Sequence, residues 1–359
     1  MCERSAVNAA AEKHLGQRNI RHMSPLHKDS AMRISHRNAA GGERLRLRLS
    51  RLTQDQTLSI PNSSKGGSNL YGFYLGAAVL GALVVLSVWN YRRYVPRPKA
   101  LGQTANKVDV QKLKVEYGEH RLYGELMLPR NHSGRLPTVI CSHGFNGSYR
   151  YFRNSVGMCL AMSGFAVYCF DFYGGSTHGK SGGSMTEMSV FLEQDQLNAV
   201  KEKIKMLDFV DMNNLFLWGE SQGGFVTAIT AAQHNEDVKA IALFYPAFCA
   251  ADDIRKRYNS LEEMPEIVDI LGKKVGRIYY EKLFDFDAYG EAKKYTGPVL
   301  IVHGDADRTV PVSYGLKAAE AYQNACFEKL SGEDHGFSAK GKLKATEMVY
   351  RFFKENLTR

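Results

Sequence analysis

Ser221 lies in Gly219-Glu220-Ser221-Gln222-Gly223, directly after the apolar run Leu215-Phe216-Leu217-Trp218 and directly before the helix-like Gly224-Phe225-Val226-Thr227-Ala228-Ile229. Strand, sharp turn and helix in that order form the setting in which a serine hydroxyl is presented as a nucleophile. Such a turn forces the serine into strained backbone angles and leaves room only for hydrogen on its neighbours, which accounts for glycine at 219 and 223. The chemistry predicted is acyl transfer through a covalent intermediate.

A serine hydroxyl is a poor nucleophile until a base takes its proton, so a histidine and an orienting carboxylate must follow in the chain order Ser, Asp, His. Of eleven histidines, only His234, His303 and His335 come after Ser221. His234 falls at the end of the helix that follows the turn, and His303 precedes the available acid. His335, in Gly332-Glu333-Asp334-His335-Gly336-Phe337, is left as the base. The acid belongs in His303-Gly304-Asp305-Ala306-Asp307-Arg308-Thr309-Val310-Pro311, after the run Val299 to Val302; Asp305 and Asp307 compete, and Asp307 is favoured.

Attack on a carbonyl also needs N–H donors aimed at the developing oxyanion. Gln222, the residue after the nucleophile, supplies one. The second is expected from Phe145 in the loop Ser142-His143-Gly144-Phe145-Asn146-Gly147, where His143 reads as a packing residue. Chemistry of this kind requires no metal or organic cofactor.

Several elements must hold these residues. Alternation at Leu113, Val115 and Tyr117, then Leu122, Leu126 and Leu128 across Gly118-Glu119, predicts a β-hairpin. Apolar runs at Thr138 to Cys141, Ala166 to Phe170, Leu215 to Trp218, Ala240 to Phe244 and Val299 to Val302 predict buried parallel strands. Cys141 and Cys169 inside them read as small buried hydrophobes. Leu197, Val200, Ile204 and Leu207 share one helical face, as do Met348, Val349, Phe352 and Phe353, so the class is α/β. Residues 246–296 break the alternation with Tyr258, Tyr279, Tyr280, Phe284, Phe286 and Tyr289, and read as an inserted lid.

Residues 108 to 357, about seventy per cent of the chain, resemble the α/β-hydrolase superfamily on four motifs: the H-G-F loop, the G-E-S-Q-G-G turn, the H-G-x-x-D-x-x-V-P loop and the D-H-G-F loop. Together these are similar to the feruloyl or cinnamoyl esterase branch and to serine peptidase-like hydrolases. The resemblance selects Asp307 as the acid and implies that the 246–296 insertion covers the active site and shapes the acyl pocket. It implies hydrolysis of a carboxylic ester, with a hydroxycinnamoyl or short-chain acyl group, or by the same machinery a small peptidase, aminopeptidase or thioesterase activity.

Gly174-Gly175-Ser176-Thr177-His178-Gly179-Lys180-Ser181 also matches G-x-x-x-x-G-K-[ST], the phosphate-cradling loop of nucleotide hydrolases. That loop must open straight into a helix, whereas Ser181 is followed by Gly182-Gly183-Ser184, so the match is read as accidental. In the family reading, Asp171 and Ser181 shape turns beside the site. A binding module without catalysis is disfavoured by the complete set of site residues.

The net charge of +10 is unevenly spread: residues 1–99 carry 16 Lys/Arg against 5 Asp/Glu, leaving 31 against 32 in the rest. With no accompanying nucleic-acid-binding motif, the basic tail argues for a membrane surface or targeting, and nucleic acid is not expected as a partner. Residues 1–69 are predicted to be a disordered basic tail, and 90–107 a linker to the hydrolase domain over 108–359. Leu70 to Trp89 is an uncharged twenty-residue run followed by Tyr91, Arg92, Arg93 and Tyr94, which predicts a single transmembrane anchor. Loop charges leave its orientation open, and nothing in the sequence sets an oligomeric state.

Overall fold

The computed structural model describes residues 96–103, 105–130 and 132–358. The basic tail over 1–69, the apolar run 70–89 and residues 90–95 of the linker lie outside the described residues. Among the described residues, no helix is long and apolar enough to cross a membrane.

The fold starts with β1 (Val108–Tyr117) and β2 (His120–Pro129), an antiparallel hairpin closed by Gly118 at φ +55° and Glu119. Next come β3 (Leu136–Ser142), α1 (Gly157–Met162, entered through a π-helical turn over Phe152–Val156), β4 (Ala166–Phe170), α2 (Val190–Lys205), β5 (Val210–Glu220), α3 (Ser221–Gln233) and β6 (Ala240–Phe244). After the insertion the alternation resumes with β9 (Val299–Gly304), α7 (Val312–Ala321), β10 (Ala325–Leu330) and α8 (Ala339–Glu355). The insertion itself holds α4 (Ala250–Arg255), the hairpin β7 (Ile267–Ile270) and β8 (Lys273–Gly276), α5 (Ile278–Glu281) and α6 (Ala288–Ala292).

Eight strands form one sheet in the order β1-β2-β4-β3-β5-β6-β9-β10, antiparallel at β1, β2 and β4 and parallel from β4 onward. This is the α/β-hydrolase fold with a mostly parallel sheet. Period-two alternation splits the core into two layers. Ile140, Leu217, Ile241 and Ile301 face α2 and α3, where Leu197, Val200, Val226 and Ile229 meet them. Val139, Phe216, Trp218 and Val302 face the other way, toward Leu160 of α1 and Val349 and Phe353 of α8. Burial on both faces explains why β4 and β6 read as unbroken apolar runs.

All the parallel strands point the same way, so β3, β5, β6, β9 and β10 deliver their following loops to one edge of the sheet. That edge is where open α/β sheets carry their chemistry. Two features go beyond the sequence expectation. β10 is a partly exposed edge strand with mixed composition, and the charged insertion contains the β7–β8 hairpin, turned by Leu271 at φ +50° and Gly272 at φ +76°.

Candidate active site

β5 ends at Glu220 and α3 begins at Ser221, so the chain reverses in a single step and Ser221 takes φ +49°. The flanking glycines have no alternative. A Cβ on Gly219 would sit 2.2 Å from the Gly223 carbonyl oxygen, and one on Gly223 would sit 2.3 Å from the carbonyl oxygens of Ser142 and His143. Among the described residues, five non-glycines have positive φ, Asn146, Ser221, Tyr245, Leu271 and Phe337, and all five are in loops around this edge or at the cavity beside it. Backbone strain is thereby concentrated where function is expected to use it.

The loop after β10 brings His335 to the serine, with Nε2 3.0 Å from Ser221 Oγ. On its other side, Nδ1 lies 2.8 Å from Asp307 Oδ2. An ionised carboxylate can only accept, so Nδ1 carries the proton and Nε2 presents its lone pair to the hydroxyl. The Asp307 side chain is fully buried and accepts further bonds at Oδ1 from the N–H groups of Thr309 (2.9 Å) and Val310 (2.8 Å). Burial alone would push its carboxyl up. Contacts from His303 and His335 and the Val310 N–H outweigh that and hold it well below the usual carboxylate range.

Asp305, the competing acid, points elsewhere: its Oδ1 accepts from Gly332 N–H at 2.7 Å and staples the two loops together. Asp334 does the same from the other side, accepting from the N–H groups of His335 and Arg308 and pairing with the Arg308 guanidinium. His303 is buried beneath the acid loop, with Nε2 2.9 Å from the Val310 carbonyl and 3.4 Å from Asp307 Oδ2. His234 caps the far end of α3.

The H-G-F loop lies against Ser221: a Cβ on Gly144 would be 3.0 Å from Ser221 Cβ and 3.7 Å from Oγ. Phe145 follows at once and lines the adjoining cavity together with Ser221 and Gln222. Gln222 N–H belongs to the first turn of α3, whose donors lack intrahelical acceptors. His143 is buried, accepts from Phe172 N–H at Nε2 (3.2 Å) and therefore donates from Nδ1 to the Gly144 carbonyl (2.8 Å). Burial pushes its pKa down, which suits a neutral ring that shapes the loop.

A cavity of about 140 Å³ opens beside Ser221, lined by Phe145, Ile254, Leu271, Tyr279, Tyr280 and Val310 and by the charged Asp253 and Arg257. Tyr279 and Tyr280 come from the insertion, which thus builds much of this wall. Phe286 packs instead on Phe191 and Phe225, and Tyr289 on Phe248.

Three sets of side-chain contacts around the site were not foreseen from the sequence. Tyr245, at φ +35°, donates to Glu220 Oε2 (2.7 Å) while its ring centroid lies 4.6 Å from that of His335. Gln222 is bonded through its side chain to both Glu193 and Tyr279. Arg308 and Asp334 clasp the acid and histidine loops. The sequence picks out Gln222 for its backbone N–H and Tyr279 as an insertion aromatic, and Asp334 stands beside His335, but their side-chain partners carry no sequence signal.

The phosphate-loop match at 174–181 opens into no helix; α2 starts only at Val190. Lys180 Nζ is bound to the hydroxyls of Tyr149 (2.8 Å) and Tyr123 (3.2 Å), and Asp171 accepts from the N–H groups of Tyr149 and Lys180. Ser181 Oγ donates to the Asp171 carbonyl and accepts from Tyr123 N–H. Among the described residues, no cluster of three or more His, Cys, Asp or Glu has a metal-binding arrangement.

Residues 151–359 match the prolyl oligopeptidase family model. No curated protein matches the chain. Among solved structures, Est1E from Butyrivibrio proteoclasticus with ferulic acid bound is 28% identical at a TM-score of 0.60, over 68% of this chain and 98% of its own. The esterase domain of a Rhodothermus marinus protein (19% identical, TM-score 0.54, 69% and 98% covered) shares the fold. So does the α/β hydrolase GrgF from Penicillium sp. sh18 (15% identical, TM-score 0.55, 69% and 97% covered).

Proposed function

The chain belongs to the prolyl oligopeptidase family and is a serine hydrolase of the α/β fold; from that premise we propose that it hydrolyses carboxylic esters, with Ser221 as nucleophile, His335 as general base and acid, and Asp307 orienting His335. The N–H groups of Phe145 and Gln222 stabilise the oxyanion. His335 takes the Ser221 proton as Oγ attacks the acyl carbon, then gives it to the departing alcohol, and water releases the acid by the same route in reverse. The single observation that carries this reading is the unbroken line from Asp307 Oδ2 through His335 to Ser221 Oγ, 2.8 and 3.0 Å.

The acyl group is proposed to enter the cavity beside Ser221, where Phe145, Tyr279 and Tyr280 offer aromatic faces. These walls, and the ferulic acid bound to the 28% identical Est1E, support an aromatic hydroxycinnamoyl or a short acyl chain. A second reading, a small peptidase, is favoured by the family match itself. Assay of p-nitrophenyl esters, methyl ferulate and aminoacyl amides divides them. The ester reading expects turnover of esters, abolished by Ser221→Ala, and little of amides; faster amide cleavage would replace it with the peptidase.

Residues 70–89 are proposed to anchor the protein in a membrane, supported by twenty uncharged residues and the Arg and Tyr residues that follow. Retention of the full chain in the pellet after alkaline carbonate extraction is expected. Release into the supernatant would remove the anchor.

A further inference from the structure

Gln222 stands next to the nucleophile, and its side chain is almost completely buried. Its amide links α2 to α5 of the insertion. Nε2 donates to Glu193 Oε2 at 2.8 Å, on the first turn of α2, and Oε1 accepts from the Tyr279 hydroxyl at 2.6 Å, on α5 of the insertion. Tyr279 is itself buried, its ring packs edge-on against Phe145 with centroids 6.3 Å apart, and it forms part of the cavity wall. One tyrosine thus touches both residues proposed to supply the oxyanion donors: Gln222 by a hydrogen bond, Phe145 by its ring.

We propose that Tyr279 and Glu193 are positioning residues that act through Gln222, so that the insertion sets the alignment of the oxyanion donors from the same side chain that walls the acyl cavity. The inference rests on the assignment of Ser221, Phe145 and Gln222 given above. Its physical basis is that oxyanion stabilisation depends on donors being held in advance within a few tenths of an ångström of where charge develops. A backbone N–H in the first turn of a helix has no intrahelical acceptor to hold it, so anchoring of its own side chain adds to its alignment. Here both ends of that side chain are fixed in a dry environment, where an amide losing either partner must break the other bond or stay unpaired.

Glu193 is suited to the task. Buried beside Gly175, with His143 near the same glycine and Tyr279 feeling its charge, it is pushed up to about 8 by burial, against the opposing pull of the Gln222 hydrogen bond. It therefore meets Gln222 at neutral pH as an uncharged acid, whose carbonyl oxygen accepts the amide. It places no negative charge behind the oxyanion.

The test is steady-state hydrolysis of p-nitrophenyl acetate and p-nitrophenyl butyrate by the full chain. Tyr279→Phe keeps the ring and the wall and removes only the hydroxyl; it is expected to lower kcat about 10-fold with KM within about twofold, a fraction of what losing a whole oxyanion donor costs. Glu193→Met is expected to do the same, and Glu193→Gln, which keeps the accepting oxygen, to recover most of that loss. Tyr279→Phe combined with Glu193→Met should cost little more than either alone, because both act through one amide. Gln222→Met, which keeps the backbone N–H, should reproduce the double variant. Unchanged kcat in Tyr279→Phe, losses confined to KM, or fully multiplicative losses would each overturn the inference while Ser221-dependent turnover stands. Turnover that survives Ser221→Ala would overturn the nucleophile assignment and this inference with it.

Discussion

His335 Nε2 stands 3.0 Å from Ser221 Oγ although 114 residues of chain separate them. The two are joined by a parallel sheet whose strands end at a common edge, and the histidine is held there by Asp307 from below and by Asp334 along the loop. Three residues acting as one unit should lose activity together.

Ser221→Ala, His335→Ala and Asp307→Asn are therefore expected to lower kcat by roughly 10⁴ to 10⁶, roughly 10⁴ to 10⁶, and about 10⁴ respectively, with KM little changed, and combined variants should not multiply these losses. Steady-state kinetics on one activated ester checks this. Multiplicative losses would mean that the three residues do not act on the same proton.

Asp305 and Asp307 are separated by one residue and differ sharply in environment. Asp305→Asn keeps an oxygen that can accept from Gly332 N–H and loses only the charge, so it is expected to cost less than about tenfold in kcat and no more than about 1 kcal/mol in stability. A loss from Asp305→Asn as large as that from Asp307→Asn would reverse the assignment of the acid.

Gly223 admits no side chain, since a Cβ would meet two carbonyl oxygens at 2.3 Å. Gly223→Ala is expected to destabilise the domain by roughly 3 kcal/mol or more, because backbone must move. Thermal unfolding should show a drop of several degrees or loss of soluble protein; an unchanged midpoint would contradict the packing of the turn against β3.

Glu193 makes a signed prediction for stability against pH. Its folded value, raised by burial to about 8, lies above the ordinary 4.5, so between those limits the folded state holds a proton that the unfolded chain has released. Stability contributed by this group falls as pH rises through that window and levels off above it, by on the order of a few kcal/mol. Chemical denaturation from pH 5 to 8.5 should show wild type losing more stability than Glu193→Gln over the same range. Parallel curves would contradict the burial of the carboxyl.

Lys180 is tied to Tyr149 and Tyr123, and its ammonium also lies over the ring of Tyr123 at 4.3 Å. Lys180→Ala is expected to leave ester hydrolysis within a few-fold and to reveal no nucleotide dependence. Near-complete loss of activity together with ATP binding by titration calorimetry would restore the phosphate-loop reading.

What the sequence made legible follows physical lines. β4 and β6 are buried on both faces and so read as continuous apolar runs, and the β1–β2 hairpin alternates because one face of β1 is exposed. β10 was hidden because Ala325-Cys326-Phe327-Glu328-Lys329-Leu330 is an edge strand of mixed character, and β7–β8 because its signal, alternation across Leu271-Gly272, sits within a charged segment. Ser221, His335 and the acid loop were readable because each is bound to a motif with a fixed place in the chain. Glu193 and Tyr279 were not, since an acid in a helix and a tyrosine in an insertion have meaning only once folding brings both to one amide.

The central claim is that Ser221 is the nucleophile, activated by His335. Its most direct test is reaction of the folded protein with a fluorophosphonate, followed by mass analysis of the peptide containing Gly219 to Gly223. The account predicts one stoichiometric adduct on Ser221, absent in Ser221→Ala and formed far more slowly in His335→Ala. Folded wild-type protein that takes up no adduct, or equal labelling of Ser221→Ala, would contradict it.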